Sequence, residues 1–471
     1  MASLWTAEAV RDAVNGQGEG DWSASGVSID TRSLEPGDLF VALSGPNFDA
    51  HDFVAEAFSR GAAAAIVSRP LPAEGPLVVV DDTLQALTAL GAAGRARASA
   101  KIVAVTGSSG KTSTKEMLIA ALSAQGKTHG SAASHNNHWG VPLSLARLPQ
   151  DAAYGVFEVG MNHSGEIRPL SRLIRPQVAV ITNIGMAHLE HLGSQDAIAA
   201  AKAEIFEGLG TDGTAVLPRD SEYWDFLTKA ARKAGVETIR SFGTDEAADL
   251  RLLDWAASER GGEVHVALEG REMTYHLGLP GRHQAMNSLA VLSAAQALGA
   301  EIDLAARAFD QLQAMPGRGA RQEVRMPEGG SFTLLDECYN ANPLSMAAAL
   351  GVLGATQPAT GGRRIAVLGD MLELGSDSQR FHEELAENVT ANSIDLVFLA
   401  GPMMSHLAHR LPEGKLACNA ETSADLPGPL LQELRPGDVV LVKGSLGSRM
   451  RVIVEALTAS EADEAKQANG G

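Results

Sequence analysis

The chain has 471 residues, 45% hydrophobic and 20% charged, which is the composition of an ordinary globular protein of about three domains. Its formal net charge of −19 argues against a general surface for nucleic acids or anionic membranes, because an acidic body repels polyanions. The two cysteines, Cys338 and Cys418, fit neither a disulfide framework nor a metal spacing, as is usual in a reducing cytosol. We find no signal peptide and no apolar run near the ~20 residues of a membrane span, and we expect a cytoplasmic protein without membrane insertion.

The predicted elements indicate an α/β fold in three domains. Residues 1–85 combine short strand patterns such as "DLFVAL" with turns such as "EPGD", which predicts a small α/β domain. Strands and helices alternate over 86–315, which predicts a central domain on a parallel sheet. The spacing of strands over 316–458 suits a doubly wound, Rossmann-like domain. Residues 459–471 have no apolar period and are expected to be a frayed tail.

The segment "VTGSSGKTSTKEM" (105–117) joins a predicted strand to a predicted helix through a glycine-rich turn. Gly107 and Gly110 let backbone N–H groups approach phosphate oxygens, and the helix N-terminus adds the positive end of its dipole. Lys111 supplies a mobile cation, and Thr112 can ligate Mg²⁺. The common G-x-x-x-x-G-K-[ST] pattern also requires a glycine where this segment begins, but the phosphate cradle lies mainly from Gly107 onward. We predict a nucleotide site, although the loop alone does not distinguish a switch, kinase, motor or ligase.

Two further polar residues follow predicted strands of the central domain. Glu158 ends the apolar run of "YGVFEVG", and His188 follows "VAVITNIG". Because ligands of open α/β sheets bind at the carboxyl ends of the strands, we expect both residues near Lys111, where they would suit a metal beside a triphosphate. Each residue alone is equally well explained as a structural polar group. Lys202, in "AIAAAKAEIFEGL", is by itself typical of a solvated helix face.

The remaining candidates lie in predicted turns and at helix starts. Asn287, in "RHQAMNSLAVLSAAQALG", could pair with a base edge or cap the helix. Arg318, in "PGRGARQEV", could reach a phosphate across a cleft or be solvated. The strand "LLDE" ends in two acids before "CYNANP", which would suit a ribose and base and is also explained by turn chemistry.

Together these segments resemble the Mur ligases of bacterial peptidoglycan synthesis. The resemblance rests on the ordered set "TGSSGKTSTKEM", "NNHWGVPLSL", "FEVGMNHSGEI", "TNIGMAHLEHLGS", "KAEIF", "PGRHQAMNSLAV", "PGRGARQE", "DECYNANP" and "VLVKGSLGSRM", which spans nearly the whole chain. Two stretches, "YNANP" and "VSIDTRSLEPGDLFVALSGPNFDAHDF", are characteristic of the branch that joins D-alanyl-D-alanine to UDP-N-acetylmuramoyl-tripeptide. The Asp-Asn-Pro-Arg signature of many diaminopimelate-adding ligases is absent.

The resemblance implies an N-terminal domain for the UDP end of the nucleotide sugar, a central P-loop ATPase domain and a C-terminal domain that closes with the dipeptide. It implies an ADP-forming ligase that is a monomer, uses ATP and Mg²⁺, and carbamylates Lys202 into an anionic metal ligand. In the implied reaction, ATP phosphorylates the tripeptide carboxylate and the amine of the dipeptide then displaces phosphate. The alternatives are a diaminopimelate-adding Mur ligase, a folylpolyglutamate synthase and a non-enzymatic ATP-dependent switch.

The resemblance also implies roles for individual residues. The residues implied to bind ATP are Gly107, Ser108, Ser109, Gly110, Lys111, Thr112, Ser113, Asn287, Arg318 and Asp336. Those implied to serve Mg²⁺ are Thr112, Glu158, His188 and Lys202, and those implied to be catalytic are Lys111, Lys202 and His188. Those implied to contact substrates are Thr31, Arg32, Asp49, His51, Asn136, Asn137, Tyr339, Asn340 and Asn342. Family members commonly have Asp-Asp where this chain has Asp336-Glu337, which leaves open which acid faces the ribose.

Overall fold

The computed structural model of the protein describes residues 3–132, 135–258 and 260–468, with side chains as far as residue 459. Within these residues three larger sheets follow one another along the chain, and helices cover them. The prediction of an α/β fold in three domains is therefore confirmed. None of the helices in the described part of the chain has both the length and the apolarity of a membrane span.

The N-terminal region is built on a small parallel sheet. The strands of the whole N-terminal region are β1 (Trp5–Thr6), β2 (Ser23–Ala24), β3 (Gly26–Ser28), β4 (Asp38–Val41), β5 (Ser44–Gly45), β6 (Phe48–Asp49), β7 (Ala64–Val67) and β8 (Leu77–Val79). The helices of this region are α1 (Ala7–Val14), α2 (Val54–Ser59) and α3 (Thr83–Arg97). Four of these strands form the parallel sheet, in the order β3-β4-β7-β8. Leu87 and Leu90 of α3 share a core with Val27 and Leu39 of this sheet. The boundary expected at 85/86 thus falls inside a helix that packs on the N-terminal region.

The central region contains the longest sheet of the described residues. Its strands are β9 (Lys101–Thr106), β10 (Thr128–Gly130), β11 (Tyr154–Glu158), β12 (Val178–Ile181), β13 (Thr214–Pro218), β14 (Thr238–Gly243), β15 (Leu250–Ser258), β16 (Gly261–Leu268) and β17 (Arg271–Leu277). Its helices are α4 (Lys111–Ser123), α5 (Gly140–Ala146), α6 (Ile167–Ile174), α7 (Leu189–Leu192), α8 (Gln195–Ala203), α9 (Trp224–Lys233), α10 (Arg282–Ala297) and α11 (Ile302–Arg307). The strand order is β10-β11-β9-β12-β13-β14-β15-β16-β17.

The strands of this sheet from β10 to β15 are parallel, as expected for the central domain, but β15, β16 and β17 form an antiparallel meander. A two-residue turn joins β16 to β17, and both of its residues, Glu269 and Gly270, have positive φ. This is the backbone that a type I′ hairpin requires, because its twist matches that of the flanking strands. In the parallel part, Glu158 of β11 lies opposite Val105 of β9, so these two strands end together.

The C-terminal region forms a sheet in the order β18-β19-β23-β20-β21-β22. Its strands are β18 (Ala320–Arg325), β19 (Ser331–Glu337), β20 (Arg364–Gly369), β21 (Leu396–Ala400), β22 (Leu416–Ala420) and β23 (Val439–Lys443), and its helices are α12 (Pro343–Ala355), α13 (Ser378–Ala391), α14 (Met404–Ala408), α15 (Pro427–Glu433) and α16 (Arg451–Ala468). Only β18 pairs antiparallel among these strands. The expected frayed tail is helical as far as Ala468, in line with the helix propensity of its Ala, Glu and Lys residues, and 469–471 lie outside the described residues.

Candidate active site

A cavity of about 850 Å³ lies between the central and C-terminal regions. Its walls come from loops that follow the carboxyl ends of β9, β11 and β12 on one side and of β19, β20 and β23 on the other, which is where open α/β sheets bind ligands. The sequence-predicted residues that line the cavity are Ser108, Ser109, Gly110, Lys111, Thr112, Ser113, Asn136, Glu158, His188, Lys202, Asn287, Arg318, Tyr339, Asn340 and Asn342. Residues far apart in the chain thus meet around one space.

The glycine-rich loop and the start of α4 form the phosphate-binding part of this cavity. Gly110 has φ of 78°, a left-handed conformation that favours glycine, and a Cβ at Gly107 would collide with Thr182 Oγ1. In the first turn of α4, the first backbone N–H that makes a helical hydrogen bond is that of Thr114, which donates to the carbonyl oxygen of Gly110 at 2.9 Å. The preceding N–H groups of the first turn have no partner within the helix, so they can bind an anion.

Glu158 is buried at the end of β11 and is held by two of the other predicted residues. Thr112 Oγ1 donates to Glu158 Oε2 at 2.9 Å, and Asn136 Nδ2 donates to Glu158 Oε1 at 2.8 Å. Carboxylate and hydroxyl oxygens are ligands that Mg²⁺ prefers. The described residues contain no group of three His, Cys, Asp or Glu side chains that could hold a metal by themselves, so any Mg²⁺ here would take further oxygen ligands from phosphate and water.

Two lysines, Lys111 and Lys202, line the cavity. Lys111 Nζ donates to the carbonyl oxygen of Gly107 at 2.8 Å; burial lowers the pKa of Lys111, and nearby Glu158 opposes that shift. Lys202 is only 2% exposed, and burial together with the neighbouring Lys111 holds its pKa well below the usual value. Its Nζ makes no hydrogen bond or salt bridge to the described part of the chain, so no anionic partner offsets the cost of burying its charged form. The interpretation of Lys202 from its helix alone, as a residue on a solvated face, is therefore wrong.

His188 follows β12 and connects the central region to the C-terminal region. Its Nδ1 lies 2.6 Å from Oε2 of Glu373, in the loop after β20. Both residues have left-handed backbones, with φ of 59° at His188 and 63° at Glu373. The hydrogen bond from His188 is the main cause of the lowered pKa of Glu373. One ring nitrogen of His188 is thus committed to a carboxylate across the cavity.

The two consecutive acids at the end of β19 point in different directions, because side chains alternate along a strand. Asp336 is buried and accepts the N–H of Gly317 at 2.7 Å, and it pairs with Arg451 at 2.9 Å. It is not among the residues that line the cavity, so the structure does not bring the predicted Asp336 to a nucleotide there. Glu337 lines the cavity instead, and its Oε2 accepts a hydrogen bond from Lys443 Nζ at 3.2 Å.

Several predicted asparagines combine cavity positions with local turn chemistry. The Oδ1 of Asn137 accepts the N–H groups of Trp139 and Gly140 at the start of α5, and Asn137 does not line the cavity. Asn342 caps α12 through a reciprocal pair of hydrogen bonds with Ser345. The side chain of Asn287 lies against Gly110, where it would contact any Cβ.

The predicted residues of the N-terminal region lie away from the cavity and are satisfied locally. Arg32 pairs with Asp30 at 2.6 Å, and the buried Thr31 starts the same short 3₁₀ turn. His51 Nδ1 lies 2.6 Å from Asp49 Oδ1, and its Nε2 accepts the N–H of Ser68 at 2.9 Å. The backbone N–H and the ring of His51 hold the pKa of Asp49 well below its usual range.

Sequence reasoning missed Lys443 and Glu373 as cavity residues. Lys443 is the last residue of β23, and Glu373 comes four residues after β20. A polar residue just beyond a buried strand was the signal that identified Glu158, and the same signal applied to "DVVLVKG" would have found Lys443.

Three family models match the chain: "Mur ligase family, catalytic domain" over residues 23–116, "Mur ligase middle domain" over 105–295 and "Mur ligase, glutamate ligase domain" over 320–446. The chain is 38% identical to UDP-N-acetylmuramoyl-tripeptide–D-alanyl-D-alanine ligase of Escherichia coli (strain K12), covering 96% of this chain and 98% of that ligase. The chain belongs to the Mur ligase family. This Mur ligase is also 36% identical to the ligase of the same name from Bacillus subtilis (strain 168), covering 92% of this chain and 93% of that ligase.

Solved structures of Mur ligases have the same overall arrangement. The crystal structure of MurF from Acinetobacter baumannii superposes with a TM-score of 0.84 at 32% identity, covering 97% of this chain and 99% of that chain. MurF ligase from Thermotoga maritima in complex with ADP superposes with a TM-score of 0.77 at 28% identity, covering 93% of this chain and 98% of that chain.

Proposed function

We propose that this Mur ligase joins D-alanyl-D-alanine to UDP-N-acetylmuramoyl-tripeptide, consuming ATP and giving UDP-N-acetylmuramoyl-pentapeptide, ADP and phosphate. The observation that carries the proposal is the two-sided cavity, in which the phosphate loop and Lys111 face Arg318 and Lys443 of the C-terminal region. The relatives from E. coli and B. subtilis, which match over nearly their whole length, are named for this activity. We further propose that the protein acts as a monomer in the cytoplasm in peptidoglycan precursor synthesis.

The proposed reaction activates the tripeptide carboxylate, because a carboxylate oxygen is too poor a leaving group to be displaced by an amine. The γ-phosphoryl group of ATP is transferred to the carboxylate, which gives an acyl phosphate and ADP. The amine of the dipeptide then attacks the carbonyl carbon and loses a proton, and the tetrahedral intermediate expels phosphate. Lys111 and the N-terminus of α4 stabilise charge on the transferred group. The opposed walls of the cavity would exclude water, which otherwise hydrolyses the acyl phosphate.

We propose that Thr112, Glu158, His188 and a carbamate on Lys202 hold Mg²⁺, which when bound would neutralise negative charge on the phosphates. The buried Lys202 fits this modification, because a neutral amine can attack CO₂ and form an N–C bond with release of one proton. The carbamate would also replace the repulsion between Lys202 and Lys111 with attraction.

We assign the nucleotide contacts to both walls of the cavity. Glu337, rather than Asp336, is the acid that we propose to contact the ribose, since it lines the cavity. The guanidinium of Arg318 lies 3.8 Å from the ring centroid of Tyr339, a stacked pair that we propose binds the nucleotide with Asn287. The UDP end of the acceptor would lie in the N-terminal region near Arg32 and His51.

The experiment that tests the function is a phosphate-release assay combined with mass spectrometry, across a panel of UDP-muramoyl-peptides and amine donors. We expect phosphate release to require both UDP-N-acetylmuramoyl-tripeptide and D-alanyl-D-alanine, with a product heavier by the dipeptide less one water. Addition of diaminopimelate or glutamate instead would favour another branch of the family or a folylpolyglutamate synthase. Nucleotide-dependent partner binding without phosphate release would indicate a switch.

A further inference from the structure

Glu373 makes a two-point contact between the C-terminal region and the loop that carries His188. Its Oε2 lies 2.6 Å from His188 Nδ1, and its carbonyl oxygen accepts the N–H of Glu190 at 3.0 Å. At the same place, a Cβ on Gly375 would lie 3.3 Å from Cα of Glu190, so the two loops touch closely. A side-chain contact and a backbone contact together fix the orientation of one loop on the other.

Both partners of this contact have an unfavourable backbone conformation. His188 and Glu373 have φ of 59° and 63°, a left-handed backbone that is strained for a non-glycine residue. Such conformations persist where the surrounding structure determines them, and they concentrate at functional sites. Here two of them lie on opposite sides of one hydrogen bond.

The loop that presents Glu373 is held rigidly by its own region. The N–H of Met371 donates to His382 Nε2 at 3.0 Å, and the N–H of Leu372 donates to Ser445 Oγ at 2.9 Å. Just before them, Asp370 accepts the N–H of Met404 at 2.9 Å. Since successive residues are anchored up to position 372, Glu373 is delivered to His188 as part of the C-terminal region.

We propose that Glu373 is a positioning residue that orients His188 only while the C-terminal region is docked on the central region. By accepting the hydrogen from Nδ1, Glu373 fixes the ring tautomer and leaves Nε2 with its lone pair for the metal–phosphate site. Docking of the C-terminal region and completion of that site are therefore the same event. The inference rests on the proposed role of His188 in the function above.

Two measurements without turnover test this inference. The first is Mn²⁺ affinity by electron paramagnetic resonance in the presence of a non-hydrolysable ATP analogue. The second is the distance between spin labels on the natural, partly exposed Cys418 of β22 and an introduced cysteine, Lys229→Cys, on the exposed face of α9; Cys338 is buried. The control is Glu384→Ala, which removes an exposed carboxylate of α13 that pairs only within its own region, with Arg380.

We expect Glu373→Ala to weaken Mn²⁺ binding by about 10- to 100-fold, the usual effect of losing such a partner, and to broaden the label distance with ligands bound. Glu373→Gln keeps an acceptor oxygen and should lie between Glu373→Ala and the unsubstituted protein. Ala and Glu both carry a Cβ, so the backbone strain is unchanged; Glu373→Gln also serves if Glu373→Ala does not fold.

In turnover assays, Glu373→Ala should lower kcat while the KM for the UDP-linked substrate stays the same. Wild-type Mn²⁺ affinity and label distance in Glu373→Ala would overturn the proposal, even if activity fell. Failure of the unsubstituted protein to form any amide product would instead overturn the proposed function, and the Mn²⁺ and distance measurements would still decide the role of Glu373.

Discussion

The polar network of the N-terminal region and Lys202 of the central cavity differ in how their charges are satisfied. Asp49 and His51 are closed into a local network with Ser68 and Arg69, and each charge has a partner. In the cavity, Lys202 is buried with no salt bridge among the described residues, and the charged residue that helps to lower its pKa, Lys111, has the same sign.

This difference separates groups that stabilise the fold from groups kept for a ligand. A buried, unpaired ionisable group costs stability, so its retention indicates that a ligand or a modification completes it. We therefore expect substitutions in the N-terminal network to reduce stability and substitution of the unpaired Lys202 to reduce activity.

The largest effect is expected for Lys202→Ala. If Lys202 supplies the carbamate, its loss should lower kcat by about 1000-fold or more, equivalent to roughly 4 kcal/mol of transition-state stabilisation. An added short-chain carboxylate should restore part of the activity by occupying the vacated space. Lys229→Ala, at an exposed lysine of α9, is the control, and full activity of Lys202→Ala would show that the buried amine has no catalytic role.

The consecutive acids of β19 allow a contrast within one strand. Asp336→Asn should lower the free energy of unfolding by about 1–3 kcal/mol, because Gly317 and Arg451 lose a charged acceptor. Glu337→Gln should have a smaller effect on stability, because Glu337 is less buried than Asp336 and the amide oxygen of the glutamine can still accept from Lys443, and it should raise the KM for ATP. Thermal denaturation and ATP titration of both variants check this, and a reversed pattern would place Asp336 at the ribose.

A comparable loss of stability is expected for His51→Ala in the N-terminal network. The substitution leaves the N–H of Ser68 and a carboxylate oxygen of Asp49 without their partner, which should cost about 1–3 kcal/mol of stability. We expect kcat to change little, with any effect on turnover confined to the KM for the UDP-linked substrate. His409→Ala, at an exposed histidine, is the control. A large fall in kcat would contradict the proposal that the N-terminal network stabilises the fold while the cavity residues act in catalysis.

The smallest effect is a gain of stability in Lys202→Met, measured by thermal denaturation without ligands. Because the folded pKa of Lys202 lies below its unfolded value, the unfolded chain binds more protons, and the stability of the unsubstituted protein rises with pH in the window between the two values. Lys202→Met should therefore be more stable near neutral pH, with a difference that shrinks as pH approaches about 10. A difference independent of pH would mean that Lys202 is charged in the folded state.

The sequence predicted the parts of the site that follow from strand ends. Glu158 and His188 reach the Lys111 cavity because parallel strands share one carboxyl edge. The orientation of side chains was harder to predict. Successive side chains of a strand point to opposite faces, and "LLDE" alone does not specify whether Asp336 or Glu337 is on the face toward the cavity. The burial of Lys202 likewise depends on which face of α8 other elements cover, which one helix cannot reveal. The meander β15–β17 was missed because its Glu269-Gly270 turn was not recognised.

Asn342 connects the start of α12 in the C-terminal region to the phosphate loop of the central region. It caps α12 and also donates from Nδ2 to the carbonyl oxygen of Ser108 at 3.4 Å. A chimera that took its C-terminal region from a different Mur ligase would therefore inherit a new neighbour for the phosphate loop. Exchange of substrate preference between such enzymes by recombination should succeed more often when the donor region also begins its first helix with asparagine.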